Sequence, residues 1–207
     1  YWSSILINWT TACKWDSVIP FEPMWKELKR IIKPNWAIVL FGSEPFSSAL
    51  RMSNIKDFRY DIIWEKERPT NIFFMKKQIG KVHEIISIFY KKQPTYNPQM
   101  EKSLGSNKKL INGNDSKTHN RQTYKSSEWY DDKVRFPRSV LKIGRNHLSE
   151  RLHPTQKPVA LIEYLIKTYT NEWETVLDFT SGSGTTWIAA QNTNRNYILI
   201  EKDEWYY

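Results

Sequence analysis

The sequence predicts an α/β protein with a mostly parallel sheet and helices on both faces. The continuous apolar run of strand length at residues 37–41 is typical of a strand buried on both faces, and a second, largely apolar run at 175–179 also predicts a strand. Amphipathic helical patterns precede them at residues 21–33 and 158–170. A Gly-Ser-Gly turn at 182–184 follows the second run and opens another helix, as in nucleotide-binding βαβ units.

The first 94 residues carry the patterns of alternating helices and strands. The first helix has apolar side chains at helical spacing and stops at Lys33-Pro34-Asn35. The strand at 37–41 is broken by Gly42-Ser43. The other predicted elements of this part are a short helix at 47–55 and strands at 60–64 and 84–90.

Residues 149–207 are predicted to run helix, strand, helix, strand. The first helix carries Val159, Leu161, Ile162, Leu165, Ile166 and Tyr169 on one face. The elements after it are predicted at 175–179, 185–191 and 197–200. This alternation is typical of parallel βαβ units.

Residues 95–148 lack such regularity and form a predicted loop-rich insertion. They are rich in Asn, Lys, Ser and Pro, and residues 101–150 hold 11 basic against six acidic side chains. Aromatic residues lie among the basic ones (Tyr124, Trp129, Tyr130 and Phe136). The segment is either a nucleic-acid-binding surface or simply a solvated one.

The composition narrows the function classes. The net charge of +9 favours a polyanionic partner. A single cysteine, Cys13, excludes an intramolecular disulfide framework and a cysteine-based zinc site, and favours the cytoplasm. No apolar run approaches the roughly 18–20 residues that cross a bilayer, so neither membrane nor export is expected. A start without Met and an end soon after the last strand are typical of a fragment.

The glycine turn indicates a nucleotide-like ligand. Gly182 and Gly184 permit a sharp turn and a close approach of a ligand to the backbone. Glu201 ends the next strand, where a carboxylate can accept hydrogen bonds from two ribose hydroxyls. The turn has neither the Gly-Lys-Ser/Thr of a P-loop nor the three-glycine spacing of the NAD fingerprint. A plain Gly/Ser turn with an incidental glutamate remains the alternative.

Several motifs together resemble the amino-methylating DNA methyltransferases that use S-adenosylmethionine. The block His153-Pro154-Thr155-Gln156-Lys157-Pro158, the segment 178–186 and the segment 200–203 carry the resemblance in the second half. In the first half it rests on segments 10–16 and 37–46. The order is the permuted one, with the cofactor motifs after the catalytic motif, and the two first-half segments resemble those of adenine-specific members.

The resemblance implies a Rossmann-like methyltransferase sheet, a cofactor and a DNA partner. Residues 1–94 would be the catalytic half, 95–148 the target-recognition region and 149–207 the S-adenosylmethionine-binding half. The protein would act on double-stranded DNA as a monomer or homodimer. The residues expected to bind the cofactor are Asp178, Phe179, Ser181, Gly182, Ser183, Gly184, Thr185 and Glu201, with His153, Thr155 and Lys157 closing over its methionine end. The residues expected to bind DNA are Arg121, Lys125, Arg135 and Arg138.

The catalytic tetrapeptide departs from the family pattern. An acidic or amide residue, two residues that are usually Pro-Pro or Leu-Pro, and an aromatic residue should precede a glycine and Thr10-Thr11. Ile5-Leu6-Ile7-Asn8 and Trp9 stand there instead. Asn8 and Trp9 offer an amide and an aromatic ring in a shifted register, and are the expected catalytic pair.

Tryptophans also replace expected glycines, at Trp36, Trp173 and Trp187. A positive φ at Trp36 would cost of order 1–3 kcal/mol. A catalytically lapsed homologue that binds cofactor or DNA is therefore the second hypothesis. A nucleotide-dependent oxidoreductase is disfavoured by the glycine pattern.

Overall fold

The computed structural model describes the backbone of residues 2–7 and the whole of residues 19–102, 134–144 and 156–202. These residues belong to two compact units. The first unit comprises Tyr1–Asn97 and Arg138–Tyr207, and the second comprises Pro98–Pro137.

The first unit holds a seven-stranded sheet and four α-helices among its described residues. The strands are β1 Trp2–Ile7, β2 Ile32–Gly42, β3 Phe58–Glu65, β4 His83–Phe89, β7 Val140–Lys142, β8 Thr175–Asp178 and β9 Asn196–Leu199. The helices are α1 Phe21–Ile31, α2 Phe46–Ser53, α3 Val159–Tyr169 and α4 Thr185–Asn192.

The sheet has the order β7-β3-β4-β2-β1-β8-β9. Strands β2, β1, β8 and β9 run parallel to one another, and β7 runs parallel to β3. Only the two pairings made by β4 are antiparallel in the described sheet. The prediction of an α/β fold with a mostly parallel sheet is confirmed.

The carboxyl ends of most strands lie at one edge of this sheet. Strands β1, β2, β3, β7, β8 and β9 all end at it, whereas the antiparallel β4 begins there. We call it the carboxyl edge. In open α/β sheets, ligands bind outside this edge.

Helices cover both faces of the sheet, as the sequence predicts. Val39 and Phe41 of β2 pack in one core cluster, which includes Leu161 and Leu165 of α3 and two alanines of α4. The neighbouring positions of the strand, Ile38 and Leu40, pack in the other. That second cluster includes Met24, Trp25 and Leu28 of α1 and Leu50 of α2. Alternate side chains of a strand point to opposite faces, so the continuous apolar run at 37–41 has a partner on each face.

The second unit contains a two-stranded antiparallel ribbon, β5 Glu101–Lys102 with β6 Val134–Arg135. Arg135 forms an ion pair of 2.8 Å with Glu101 across this ribbon. Residues 103–133 lie outside the described part. Strand β7, which falls within the expected insertion 95–148, pairs with β3 in the main sheet.

The structure also places the opening apolar run and the tryptophans Trp36 and Trp173. Strand β1 occupies the apolar opening run, and its Ile5 pairs with Ile38 and with Leu177 on its two sides. Trp36 lies buried in β2 without a positive φ, whereas Trp173 has a left-handed backbone with φ 68°. No helix among the described residues is long and apolar enough to cross a membrane.

Candidate functional site

A tight turn joins β8 to α4 at the carboxyl edge. Gly182 has φ 50° and Gly184 has φ 74°, and Gly184 is the N-cap of α4. Both values lie in the left-handed region, which glycine adopts without a steric penalty. A Cβ at Gly184 would meet only the Trp187 ring, at 3.9 Å, so the space beside this glycine is open.

Asp178 ends β8 and is 7% exposed. Its Oδ2 accepts a hydrogen bond of 2.5 Å from the Thr186 hydroxyl, and its Oδ1 accepts one of 3.1 Å from the Thr180 N–H. Burial raises the pKa of this carboxyl to about 6, although the Thr186 and Thr180 bonds lower it, and the nearby charge of Glu201 adds to the rise. Asp178 is thus a buried carboxyl whose pKa lies well above its ordinary value.

Glu201 follows β9 and lies over the same turn. Its Oε2 accepts a 2.7 Å hydrogen bond from the Gly182 N–H, and its Oε1 accepts one of 2.8 Å from the Lys202 N–H. The backbone locks the two strand ends together, because Ile200 N–H donates to the Asp178 carbonyl at 2.9 Å. Two carboxylates are thereby held on one glycine turn, where they favour a cationic or hydroxyl-bearing ligand.

The other turn residues expected to bind the cofactor complete this loop. Ser181 donates its N–H to the Ile200 carbonyl at 3.1 Å and accepts from Gly184 N–H at 3.0 Å. Phe179 packs against the core cluster beneath α1. Ser183 is half-buried, and Thr185 is buried in the first turn of α4. The structure brings these residues together with Asp178 and Glu201.

Lys157 lies in a buried ionic cluster at the start of β4. Its Nζ is 2.7 Å from Oε2 of Glu84, and Lys66 binds Oε1 of the same carboxylate. The two ammonium groups also lie against the faces of Phe41 and Trp64. Burial raises the pKa of Glu84, but the charges of Lys157 and Lys66 outweigh it and hold this pKa below its usual value.

Sequence reasoning missed Glu84 and Lys66. The one available signal was that both stand at the ends of apolar strands, where charged side chains mark the edge of a sheet. Glu84 is the second residue of β4 and Lys66 directly follows β3, so both lie at the carboxyl edge. The cluster fixes the chain just before α3 to this edge.

Of the other residues predicted for the site, only Arg135 and Arg138 lie in the described part of the chain. Arg135 is half-buried in its ion pair with Glu101, and Arg138 is exposed. The other expected site residues lie outside the described part of the chain: Asn8, Trp9, Arg121, Lys125, His153 and Thr155. Within the described ranges, no group of three His, Cys, Asp or Glu side chains could hold a metal ion.

Comparison with known proteins identifies the family. The profile of the N6 and N4 methyltransferases, described as DNA methylase, matches residues 8–207. The chain belongs to this DNA methylase family. The type II methyltransferase M2.MboI of Moraxella bovis is 28% identical over 203 residues, which cover 92% of this chain and 65% of the relative. The chain spans less than two thirds of the length of the curated relatives it matches.

Solved structures share the fold of this DNA methylase. The M1.HpyAVI–SAM complex has a TM-score of 0.62 at 24% identity, over 99% of this chain and 84% of the other. The cytosine-N4-specific PvuII DNA methyltransferase has a TM-score of 0.65 at 15% identity, over 98% and 75%. These likenesses establish the fold class.

Proposed function

We propose that this DNA methylase transfers a methyl group from S-adenosylmethionine to the exocyclic amine of adenine in double-stranded DNA. The observation that carries the proposal is the pair of carboxylates, Asp178 and Glu201, held on a glycine turn at the carboxyl edge of a methyltransferase sheet. The adenine assignment rests on the resemblance of segments 10–16 and 37–46 to adenine-specific members.

The described residues fit the cofactor. S-adenosylmethionine supplies an electrophilic methyl group on a cationic sulfonium when it is bound. The open space beside Gly184 supports a close approach to the backbone, and Asp178 would face the methionine and ribose parts. Each carboxylate oxygen can accept more than one hydrogen bond, so Glu201 can take ribose hydroxyls while it keeps its bonds to Gly182 and Lys202.

The target base would lie beside the cofactor at the carboxyl edge. Strand β1 is next to β8 there, and Leu6 is the register partner of Asp178. Asn8 and Trp9 directly follow β1 in the chain. An amide oxygen that accepts from the target amine and a ring that stacks on an extruded base are what this transfer needs.

The same proposal assigns roles along the chain. Residues 1–94 would form the catalytic half, 95–148 the target-recognition region and 149–207 the cofactor half. Arg121, Lys125 and Arg138 would contact phosphates, and Arg135 would also support the ribbon that it shares with Glu101. The single cysteine is consistent with a reducing compartment such as the cytoplasm. The protein would act there as a monomer or homodimer.

A second candidate is a catalytically lapsed homologue that binds cofactor, DNA or both without methyl transfer. It is favoured by Ile5, which stands where the family's polar residue is expected and lies inside β1. The glycines of the turn, in contrast, are intact.

One experiment separates these candidates. Calorimetry with S-adenosylmethionine and labelled-methyl transfer to mixed-sequence duplex DNA are measured together, with Gly182→Val as the binding-deficient control. Digestion of the product DNA and chromatography then distinguish N6-methyladenine from N4-methylcytosine. Cofactor binding without transfer selects the lapsed homologue, transfer overturns it, and absence of both cofactor binding and transfer overturns the methyltransferase.

A further inference from the structure

The connection between β3 and β4 exposes a cluster of large apolar side chains. Phe73 is 97% exposed and Ile79 is 92% exposed, and Ile72, Phe74 and Met75 are also exposed. We call residues 66–82 the apolar hairpin. Contiguous exposed apolar surface of this kind marks an interaction site.

The apolar hairpin is a built structure. The Asn71 side chain bridges its two arms, because its Nδ2 donates to the Ile79 carbonyl at 3.0 Å and its Oδ1 accepts from Lys81 N–H at 2.6 Å. Thr70 N–H donates to the Lys81 carbonyl at 2.9 Å. At the tip, Phe74 N–H donates to the Asn71 carbonyl at 2.9 Å. The backbone hydrogen bonds therefore hold Phe73 outward, although exposure of its ring costs hydrophobic free energy.

The charge around these apolar residues is positive. Apart from Lys66, which is buried against Glu84, the apolar hairpin carries four basic side chains (Arg68, Lys76, Lys77 and Lys81) and one acidic side chain, Glu67. Lys76 and Lys77 directly follow the exposed apolar run and are themselves exposed. An apolar tip flanked by lysines complements a polyanion that also offers apolar surface between stacked bases.

The apolar hairpin rises from the carboxyl edge. Strand β3 ends at Glu65, β4 begins at His83, and these two residues are register partners there. Asp178 and the ends of β1 and β2 lie at the same edge. A duplex bound over this edge for chemistry on one of its bases would therefore meet the apolar hairpin.

We propose that the apolar hairpin is a DNA-inserting wedge, in which Phe73 enters between base pairs and Lys76 and Lys77 contact the flanking phosphates. The proposal rests on the proposed function, since it takes duplex DNA as the partner. Apolar wedges that unstack a base step and bend the duplex are a known means of opening DNA. Unstacking at the wedge would lower the cost of extruding the target base.

The test measures binding and unstacking of a mixed-sequence duplex that carries 2-aminopurine. Phe73→Ala should lower affinity about tenfold, in line with the loss of one base–aromatic stack, and abolish the fluorescence rise. Phe73→Trp should retain both signals. Lys76→Gln with Lys77→Gln should weaken binding and reduce its salt dependence.

Matched controls lie at the opposite edge of the sheet. Ile55 is 54% exposed and stands between α2 and the start of β3, so Ile55→Ala removes an exposed apolar side chain elsewhere. Lys91 and Lys92 are exposed and follow β4, so their change to Gln removes the same charge. Both controls should bind DNA as the unmodified chain does.

Three results would overturn the wedge: no DNA binding by the unmodified chain, equal affinity of Phe73→Ala, or an effect of Phe73→Ala on sedimentation but not on DNA affinity. The last result would assign the surface to self-association. Calorimetry with S-adenosylmethionine is run on the same samples. Loss of the DNA signal in Phe73→Ala by a chain that binds no cofactor would support the wedge and count against the proposed function.

Discussion

The Thr186 hydroxyl donates a 2.5 Å hydrogen bond to the buried carboxylate of Asp178, from the first turn of the helix that follows the glycine turn. This bond and the Thr180 N–H only partly offset the burial of the carboxylate, so the pKa of Asp178 rises to about 6 from 3.8. A shift of this size corresponds to about 3 kcal/mol. At neutral pH the fold therefore holds an ionised Asp178 at a cost in stability, and strongly shifted pKa values of this kind are typical of functional sites.

The first prediction is that Asp178→Asn stabilises the protein in a pH-dependent way. A raised pKa means that Asp178 favours folding below pH 4 and loses that contribution as the pH rises through 6. The gain of Asp178→Asn in the free energy of unfolding should therefore grow between pH 4 and 6 and level off at about 1–3 kcal/mol above pH 7. Urea unfolding at pH 5 and pH 8 measures it, and a gain independent of pH would contradict the assignment. Calorimetry should show weaker cofactor binding.

The second prediction uses Gly184, which needs its left-handed backbone but has open space beside it. Gly184→Ala should lower the free energy of unfolding by about 1 kcal/mol, because alanine is strained at φ 74°. Gly184→Asn should cost less, since asparagine tolerates this region better. Both should abolish cofactor binding if the ligand approaches the glycine. Binding retained by the asparagine variant would show that the ligand lies elsewhere.

The third prediction concerns Trp173, which has φ 68° and is 71% exposed. Trp173→Gly should raise the free energy of unfolding by about 1 kcal/mol, because it removes the left-handed strain. The hydrogen bond of 2.7 Å from the backbone N–H of residue 173 to the Asn194 carbonyl is kept in this variant. Trp173→Ala removes the same ring and keeps the backbone strain, so it should leave the free energy of unfolding unchanged. Equal effects of the two variants in urea unfolding would locate the effect in the ring.

The fourth prediction concerns the ion cluster at the carboxyl edge. Glu84→Gln leaves Lys66 and Lys157 buried without their shared carboxylate and should cost about 3–5 kcal/mol in unfolding free energy. Because the pKa of Glu84 is lowered, its contribution is present above its unfolded pKa and is lost as the pH falls through the folded value. Glu27→Gln in the exposed pair with Arg30 is the control and should cost less than about 1 kcal/mol. A similar loss in both variants would contradict the buried role.

Local patterns in the sequence predicted much of the fold. The helix at 21–31 and the strand core at 37–41 were found because their apolar side chains repeat within a few residues. Strand β2 begins earlier than its apolar run, at Ile32, which is the register partner of Trp2 in β1. That extension depends on a partner thirty positions away and leaves no mark in the local pattern.

The site was predictable only where its residues belong to one strand–turn–helix–strand unit. The turn at 178–184 could be found from its glycines and Glu201 from its place at the end of the next predicted strand. The Glu84–Lys157 pair, in contrast, joins positions that are far apart in the chain. The opening run was interpreted as a catalytic tetrapeptide, and its place as strand β1 follows from pairing with both β2 and β8. Tertiary pairing of this kind decides what a short apolar run becomes.

The last prediction is that catalysis, if retained, depends on the residue after β1. Ile5 is paired on both sides within the central strand, so the changes Ile5→Asp, Ile7→Pro, Asn8→Tyr and Trp9→Gly place a carboxylate and a proline in β1. That variant should lose stability and gain no methyl transfer. Asn8→Asp leaves β1 unchanged and offers the target amine a charged acceptor, which is stronger than an amide. It should raise labelled-methyl transfer about tenfold, while Asn8→Ala abolishes it and leaves cofactor binding unchanged. A stable fourfold variant with high activity would instead place the orienting group at position 5.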